Sequence, residues 1–142
     1  MLLIPNMQNS NVGLALSSTV CDFMSTTLRT LGGKAPLDKS GTMAKKLADA
    51  FGSYDAWEQD FRATGAMRGI GWAILYQDDV TGQLINQWIN EHEVGHLAGC
   101  KHILIMDVFE HAFITDYGLK RADYIAAFFK NINWGVVGGR LK

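Results

Sequence analysis

Hydrophobic residues recur every three or four positions near both ends of the chain, a spacing that predicts helices there. The first helix is expected over residues 14–31, ending at Gly32, although its many serines and threonines favour helix only weakly. The second is expected over 42–51, and the third follows Ser53, a suitable N-cap residue. The last is expected over 121–132. The apolar faces of the three later helices comprise Met43, Leu47 and Phe51, then Trp57, Phe61 and Thr64, and finally Tyr124, Ile125, Phe128 and Phe129.

The middle of the chain changes period and predicts strands. Residues 71–77 and 84–90 are rich in aliphatic and aromatic side chains, and the polar segment 78–82 between them predicts a turn. A third strand is expected over 102–106. Helices followed by three strands and then by more helices indicate an α+β fold, with a small three-stranded antiparallel sheet flanked by helices.

Composition narrows the possible functions. The chain has 142 residues, 48% of them hydrophobic, which is enough for one globular core. A formal net charge of -1 provides no basic field for nucleic acid, so no nucleic-acid partner is expected. The apolar runs are too short to span a membrane, and the first residues lack the features of a signal peptide. Cys21 and Cys100 form no disulfide framework, so a cytoplasmic location is expected.

The most informative segment is Asp107-Val-Phe-Glu-His111, which follows the apolar run 103–106. It places a carboxylate and an imidazole at positions i and i+4. If the chain turns from strand to helix there, Asp107 and His111 converge on one point. Oxygen and nitrogen ligands of this kind suit divalent first-row metals, so the pair is a candidate metal site.

Several ordered segments resemble the C-terminal domain of iron/manganese superoxide dismutases. They are Phe51-Gly-Ser-Tyr-Asp-Ala-Trp57, Gly69-Ile-Gly-Trp-Ala-Ile-Leu75, the segment from Asp107 to Ala112, and Asp123 to Trp134. The resemblance implies that residues 41–142 form that α+β domain and that residues 1–40 are a diverged helical segment. It also implies an enzyme that converts superoxide to oxygen and hydrogen peroxide at a single iron or manganese ion.

The resemblance further assigns roles to individual residues. Asp107 and His111 match two of the family's four metal ligands, while the other two are histidines of N-terminal helices. Glu110 matches a glutamate that reaches across a dimer interface to the partner's ligand histidine, which implies a homodimer.

This chain departs from the family pattern on the N-terminal side. Its four histidines all lie between His92 and His111, so no histidine matches the N-terminal ligands. Alternative alignments place Cys21, Asp22 or Met24 at one ligand position, and the histidine cluster offers other substitutes, namely His92, His96 and His102. Val94 stands near the glutamine that hydrogen-bonds the metal-bound water in manganese members, and Ile114 replaces a tyrosine. A non-catalytic dimeric scaffold is therefore the alternative.

A second motif competes with this assignment. Residues 92–102, HEVGHLAGCKH, fit the zinc signature of metzincin proteases. In that chemistry His92, His96 and His102 would bind zinc, and Glu93 would act as general base on a zinc-bound water. The motif ranks second because it covers only eleven residues and lies between two predicted strands, where a loop is expected.

Overall fold

The structure, a computed structural model, describes residues 18–33, 35–92 and 94–141, with backbone alone for residues 18–21. Its elements follow the predicted order of helices, strands and helices. They are α1 (Ser18–Thr30), α2 (Thr42–Phe51), α3 (Tyr54–Ala66), β1 (Trp72–Asp78), β2 (Leu84–Ile89), β3 (Cys100–Asp107), a 3-10 turn (Glu110–Ala112), α4 (Ile114–Tyr117), α5 (Arg121–Lys130) and α6 (Trp134–Gly138).

Two local features of the sequence that predicted helices, the periodic face of α2 and the N-cap of α3, have the expected roles in the structure. Helix α2 has the predicted bounds, and the Ser53 hydroxyl caps α3 by accepting a hydrogen bond from the Ala56 amide at 3.0 Å. Gly65 is buried on α3 in place of the expected Thr64, whose hydroxyl instead donates to the Asp60 carbonyl. The first four residues of the predicted segment 14–31 lie outside the described residues. Helix α5 ends two residues early, at Lys130, and α6 was not predicted.

The sheet has three antiparallel strands in the order β2-β1-β3, which confirms the predicted α+β arrangement. Strand β1 lies between the other two and pairs Gln77 with Leu84 on one side and Trp72 with Asp107 on the other. It is buried over nearly its whole length because both faces of the sheet are covered. Strand β3 begins at Cys100, two residues before the expected start.

Each face of the sheet packs into a separate cluster of apolar side chains. Helices α2, α3 and α5 cover the face that carries Ala73 and Leu75. Helix α1 covers the opposite face through Phe23, which packs with Trp72 and Tyr76. In the described part of the chain, no helix has the length and apolar character needed to cross a membrane.

Arg140, which follows α6, links α1 to the sheet through two hydrogen bonds. Its guanidinium donates to the Ile103 carbonyl in β3 at 3.1 Å and to the Thr26 carbonyl in α1 at 3.3 Å. Together with the packing of Phe23, these bonds hold α1 over the face of the sheet that carries the aromatic side chains of β1.

Candidate metal centre

Asp107 and His111 lie together, as the spacing predicted. Asp107 is the last residue of β3, and a 3-10 turn returns the chain so that His111 Nε2 lies 2.9 Å from Asp107 Oδ2. The other carboxylate oxygen, Oδ1, accepts the Phe109 amide at 3.0 Å. The aspartate side chain is 4% exposed and the histidine side chain 57% exposed. A buried carboxylate therefore faces an imidazole that solvent can reach.

The neighbouring side chains fix the orientation of this pair. The Tyr124 hydroxyl, on α5, donates to the Asp107 carbonyl at 2.7 Å and anchors the end of the strand. The Phe109 ring lies parallel to the His111 ring, with centroids 5.5 Å apart and an angle of 9° between the planes. Phe109 also stacks on His92, with the ring centroids 4.9 Å apart.

The pair is coupled electrostatically. The hydrogen bond that the His111 imidazole donates to Asp107 raises the pKa of His111, and partial burial opposes this effect. The carboxylate therefore favours the charged imidazole when no metal is bound.

The separation between the two side chains suits a shared ion. For metal–ligand bonds of about 2.1 Å, two ligands at roughly right angles lie about 3 Å apart. The 2.9 Å distance between Nε2 and Oδ2 matches that requirement. Within residues 22–141, apart from the undescribed Lys34 and Glu93, no group of three His, Cys, Asp or Glu side chains is placed to hold a metal. Asp107 and His111 thus form a candidate half-site of two ligands.

The expected substitute ligands do not join this half-site in the described structure. Asp22 is an exposed residue of α1, and the side chains of Cys21 and Glu93 lie outside the described residues. His96 uses both ring nitrogens elsewhere, since Nδ1 lies 2.8 Å from the Tyr76 hydroxyl and Nε2 lies 2.8 Å from the His92 carbonyl.

The geometry of the HEVGHLAGCKH segment differs from what a zinc protease requires. Its described residues before Cys100 form bends and turns rather than a helix, and residues 100–102 belong to β3, so His92 and His96 do not share a helix face. Gly95 and Gly99 have φ angles of +85° and +70°, which interrupt helical geometry. His92 accepts the Trp72 indole N–H at Nδ1, at 3.1 Å. The part of the segment before β3 is therefore the loop expected between two strands, and the zinc alternative gains no support from it.

Comparison with known proteins identifies the family. The model of the C-terminal domain of iron/manganese superoxide dismutases matches residues 39–140. The chain belongs to this family. The matched range contains every segment on which the resemblance rested, from Phe51 to Trp134, so the assignment made from the sequence is confirmed.

Relatives in this family are named for both metals. The chain is 41% identical over 103 residues to superoxide dismutase [Mn] 2 of Haloferax volcanii, covering 72% of this chain and 50% of that protein. It is 41% identical over 113 residues to superoxide dismutase [Fe] of Aquifex pyrophilus, covering 80% of this chain and 52% of the relative. The chain thus spans about half the length of the curated relatives that it matches.

Sequence reasoning missed most of the aromatic surroundings of the dismutase-like half-site. Tyr124 was identified only as part of an apolar helix face, although its hydroxyl holds the Asp107 carbonyl. The alternation along β1 does place Trp72, Ile74 and Tyr76 on one face, a signal that could have directed attention to that side. Which polar atoms these rings meet depends on the loop before β3, and no periodic pattern encodes that loop.

Proposed function

We propose that this chain contributes half of a superoxide dismutase centre, with Asp107 and His111 as ligands to one iron or manganese ion. The observation that carries the proposal is the 2.9 Å approach of His111 Nε2 to Asp107 Oδ2 at the end of β3. Membership of the iron/manganese family supports the choice of metal and of superoxide as substrate.

The donor atoms fit such an ion. One carboxylate oxygen and one imidazole nitrogen form a mixed oxygen and nitrogen set suited to divalent manganese or iron. When bound, the ion would supply the one-electron exchange that oxidises one superoxide and reduces the next. The protein residues hold the ligands in place: the Phe109 amide occupies Oδ1 so that Oδ2 stays directed at His111, and Tyr124 anchors the strand end.

Further ligands are needed to complete the centre. Cys21 and Asp22 on α1 remain candidates because α1 packs against this side of the sheet: Phe23 contacts Trp72 at 5.3 Å, and Trp72 pairs with Asp107. Histidines of another polypeptide segment are the other source, in keeping with the four-ligand pattern that the resemblance implies. Manganese and ferrous iron lie at the weak end of the affinity order, so two ligands alone would hold either metal poorly.

We also propose a homodimer in which Glu110 reaches the His111 imidazole of a second copy. Glu110 is exposed at the start of the 3-10 turn, next to a half-exposed His111. A two-fold contact of this kind would place both carboxylates symmetrically, as closed dimers require.

The test measures metal content and superoxide consumption in the purified protein and in Asp107→Asn, with Asp116→Asn as the matched control. Asp116 is an exposed aspartate nine residues away, so its variant loses the same charge outside the half-site. We expect iron or manganese in the wild type and in the control, and its loss together with activity in Asp107→Asn.

Other outcomes would overturn the proposal. Zinc that persists in Asp107→Asn would indicate a site in the His92–His102 loop. A folded wild type that takes up neither iron nor manganese, even when either is supplied, would indicate a dismutase-like scaffold without catalytic function.

A further inference from the structure

A second pair of side chains with redox chemistry lies away from Asp107 and His111. The Tyr76 hydroxyl in β1 is 2.8 Å from Nδ1 of His96, in the loop before β3. The other ring nitrogen of His96, Nε2, is 2.8 Å from the His92 carbonyl. A carbonyl oxygen can only accept, so Nε2 carries a proton, and in the neutral ring Nδ1 has the free lone pair. Tyr76 therefore donates its phenolic hydrogen bond to a base.

The surroundings isolate the Tyr76 phenol from water, while His96 is partly exposed. Tyr76 is 0% exposed. The buried Phe23 ring of α1 makes edge contacts with His96 and His102, at centroid distances of 5.0 Å and 5.1 Å. The His102 ring in turn lies 5.2 Å from Tyr76. With no solvent at the hydroxyl, a proton leaving Tyr76 has His96 as its nearest acceptor.

Burial keeps the phenol protonated in the resting protein. Loss of solvation raises the pKa of Tyr76 to about 12, and the nearby Cys100 thiol adds to this effect. Phenolate is thus not the form that reacts at neutral pH. A phenol that loses an electron becomes a very strong acid, so electron loss here requires simultaneous proton transfer.

We propose that Tyr76 and His96 form a proton-coupled one-electron donor. A one-electron oxidant, of the class of inorganic radicals such as the azide radical, takes one electron from Tyr76 and becomes an anion. The O–H bond breaks, and the proton forms an N–H bond at His96 Nδ1 while Nε2–H continues to donate to the His92 carbonyl. The products are a neutral phenoxyl radical and an imidazolium cation, so charge and atoms balance.

Aromatic contacts connect this donor to the protein surface. Phe23 lies 5.3 Å from Trp72, Trp72 lies 5.6 Å from Phe109, and Phe109 lies 5.5 Å from the half-exposed His111. The oxidisable indole of Trp72 stands midway along this path. An electron can thus leave the buried phenol towards the Asp107 end of the sheet in short steps, without any metal.

Two other phenols, Tyr124 and Tyr54, have different acceptors. Tyr124 donates to the Asp107 carbonyl, which takes up no proton at neutral pH. Tyr54 faces the Glu58 carboxylate, and this second phenol beside an ionisable acceptor makes Tyr54→Phe the matched control.

The experiment generates azide radicals by pulse radiolysis in the wild type, Tyr76→Phe, Tyr54→Phe and His96→Gln, before and after treatment with a chelator. The tyrosyl radical is followed by optical absorption and by electron paramagnetic resonance. We expect a tyrosyl signal in the wild type and in Tyr54→Phe, and loss of most of it in Tyr76→Phe. His96→Gln should slow its formation and abolish its solvent deuterium isotope effect.

These readouts need no bound ion, so a failure of this proposal can be distinguished from a failure of the proposed metal centre. Circular dichroism and thermal unfolding establish that each variant is folded, and His96→Gln retains a test with Tyr76 in place if Tyr76→Phe does not fold. A tyrosyl signal of wild-type size in Tyr76→Phe, or a formation rate and isotope effect unchanged in His96→Gln, would overturn the proposal.

Discussion

At the scale of single residues, the histidines divide between two environments. His111 sits beside a buried carboxylate, whereas His102 is half-buried among rings and near a cation. Burial is the largest cause of the lowered pKa of His102, and the charges of the neighbouring His96 and Arg140 lower it further. Tyr76 also contacts its ring, as a neutral phenol. No carboxylate appears among these influences, so the fold favours the neutral form of this imidazole.

Stability should therefore depend on pH through His102. Its pKa is lower in the folded state than the roughly 6.5 of an unfolded chain, so the unfolded state binds more protons between the two values. The free energy of unfolding should rise with pH through that window. The contribution of neutral His102 is fully present above a pH of about 6.5 and is lost as the pH falls towards the lower pKa of the folded state. Urea unfolding at a series of pH values measures this, and His102→Gln should flatten that part of the profile. An equal slope in the variant would assign the effect to other groups.

At the scale of elements, sequence signals worked where structure is local. The bounds of α2 follow from its periodic face, and Ser53 marked the start of α3 because capping depends on only a few neighbouring residues. Helix α6 was not predicted because its five residues are too few to show the helical spacing of apolar positions. At the candidate site, the i and i+4 spacing predicted that Asp107 and His111 meet. The partners of His92 and His96 were not predictable because they lie across the sheet face, on Trp72 and Tyr76.

The cap of α3 offers a quantitative check at this scale. Ser53→Ala removes the acceptor for the Ala56 amide and should lower the free energy of unfolding by about 1 kcal/mol. Ser53→Gly should cost only a few tenths of a kcal/mol, because glycine is tolerated at an N-cap. Denaturant titration of the two variants compares them directly. Equal losses would mean that the missing hydroxyl accounts for the whole effect and that glycine's backbone freedom compensates for none of it.

At the scale of the whole molecule, the half-site lies where a second copy can approach. His111 is half-exposed, Glu110 is exposed beside it, and the chain spans about half the length of its relatives. Completion of the metal centre and association of two copies are thus proposals about the same region of the surface.

The proposed dimer makes a charge-specific prediction. Glu110→Gln removes the carboxylate that would reach the partner's imidazole and should shift the equilibrium towards monomer in sedimentation experiments. Glu91→Gln removes another exposed carboxylate, outside the proposed contact, and should leave the association unchanged. Identical sedimentation of wild type and Glu110→Gln would show that the Glu110 carboxylate does not contribute to a dimer interface.

The central position of β1 also has a kinetic consequence. Its pairing with β2 closes across a short turn, from Gln77 to Leu84, whereas its pairing with β3 must bring Trp72 to Asp107 across a much longer segment of chain. Longer loops cost more entropy to close and form later. In pulse-labelled hydrogen exchange during refolding, amides between β1 and β2 should gain protection before the Val108 amide, which bonds to the Gly71 carbonyl at the far end. Asp107 would then become buried beside Trp72 only late in folding, so in a nascent chain its carboxylate stays in contact with water until the sheet has closed.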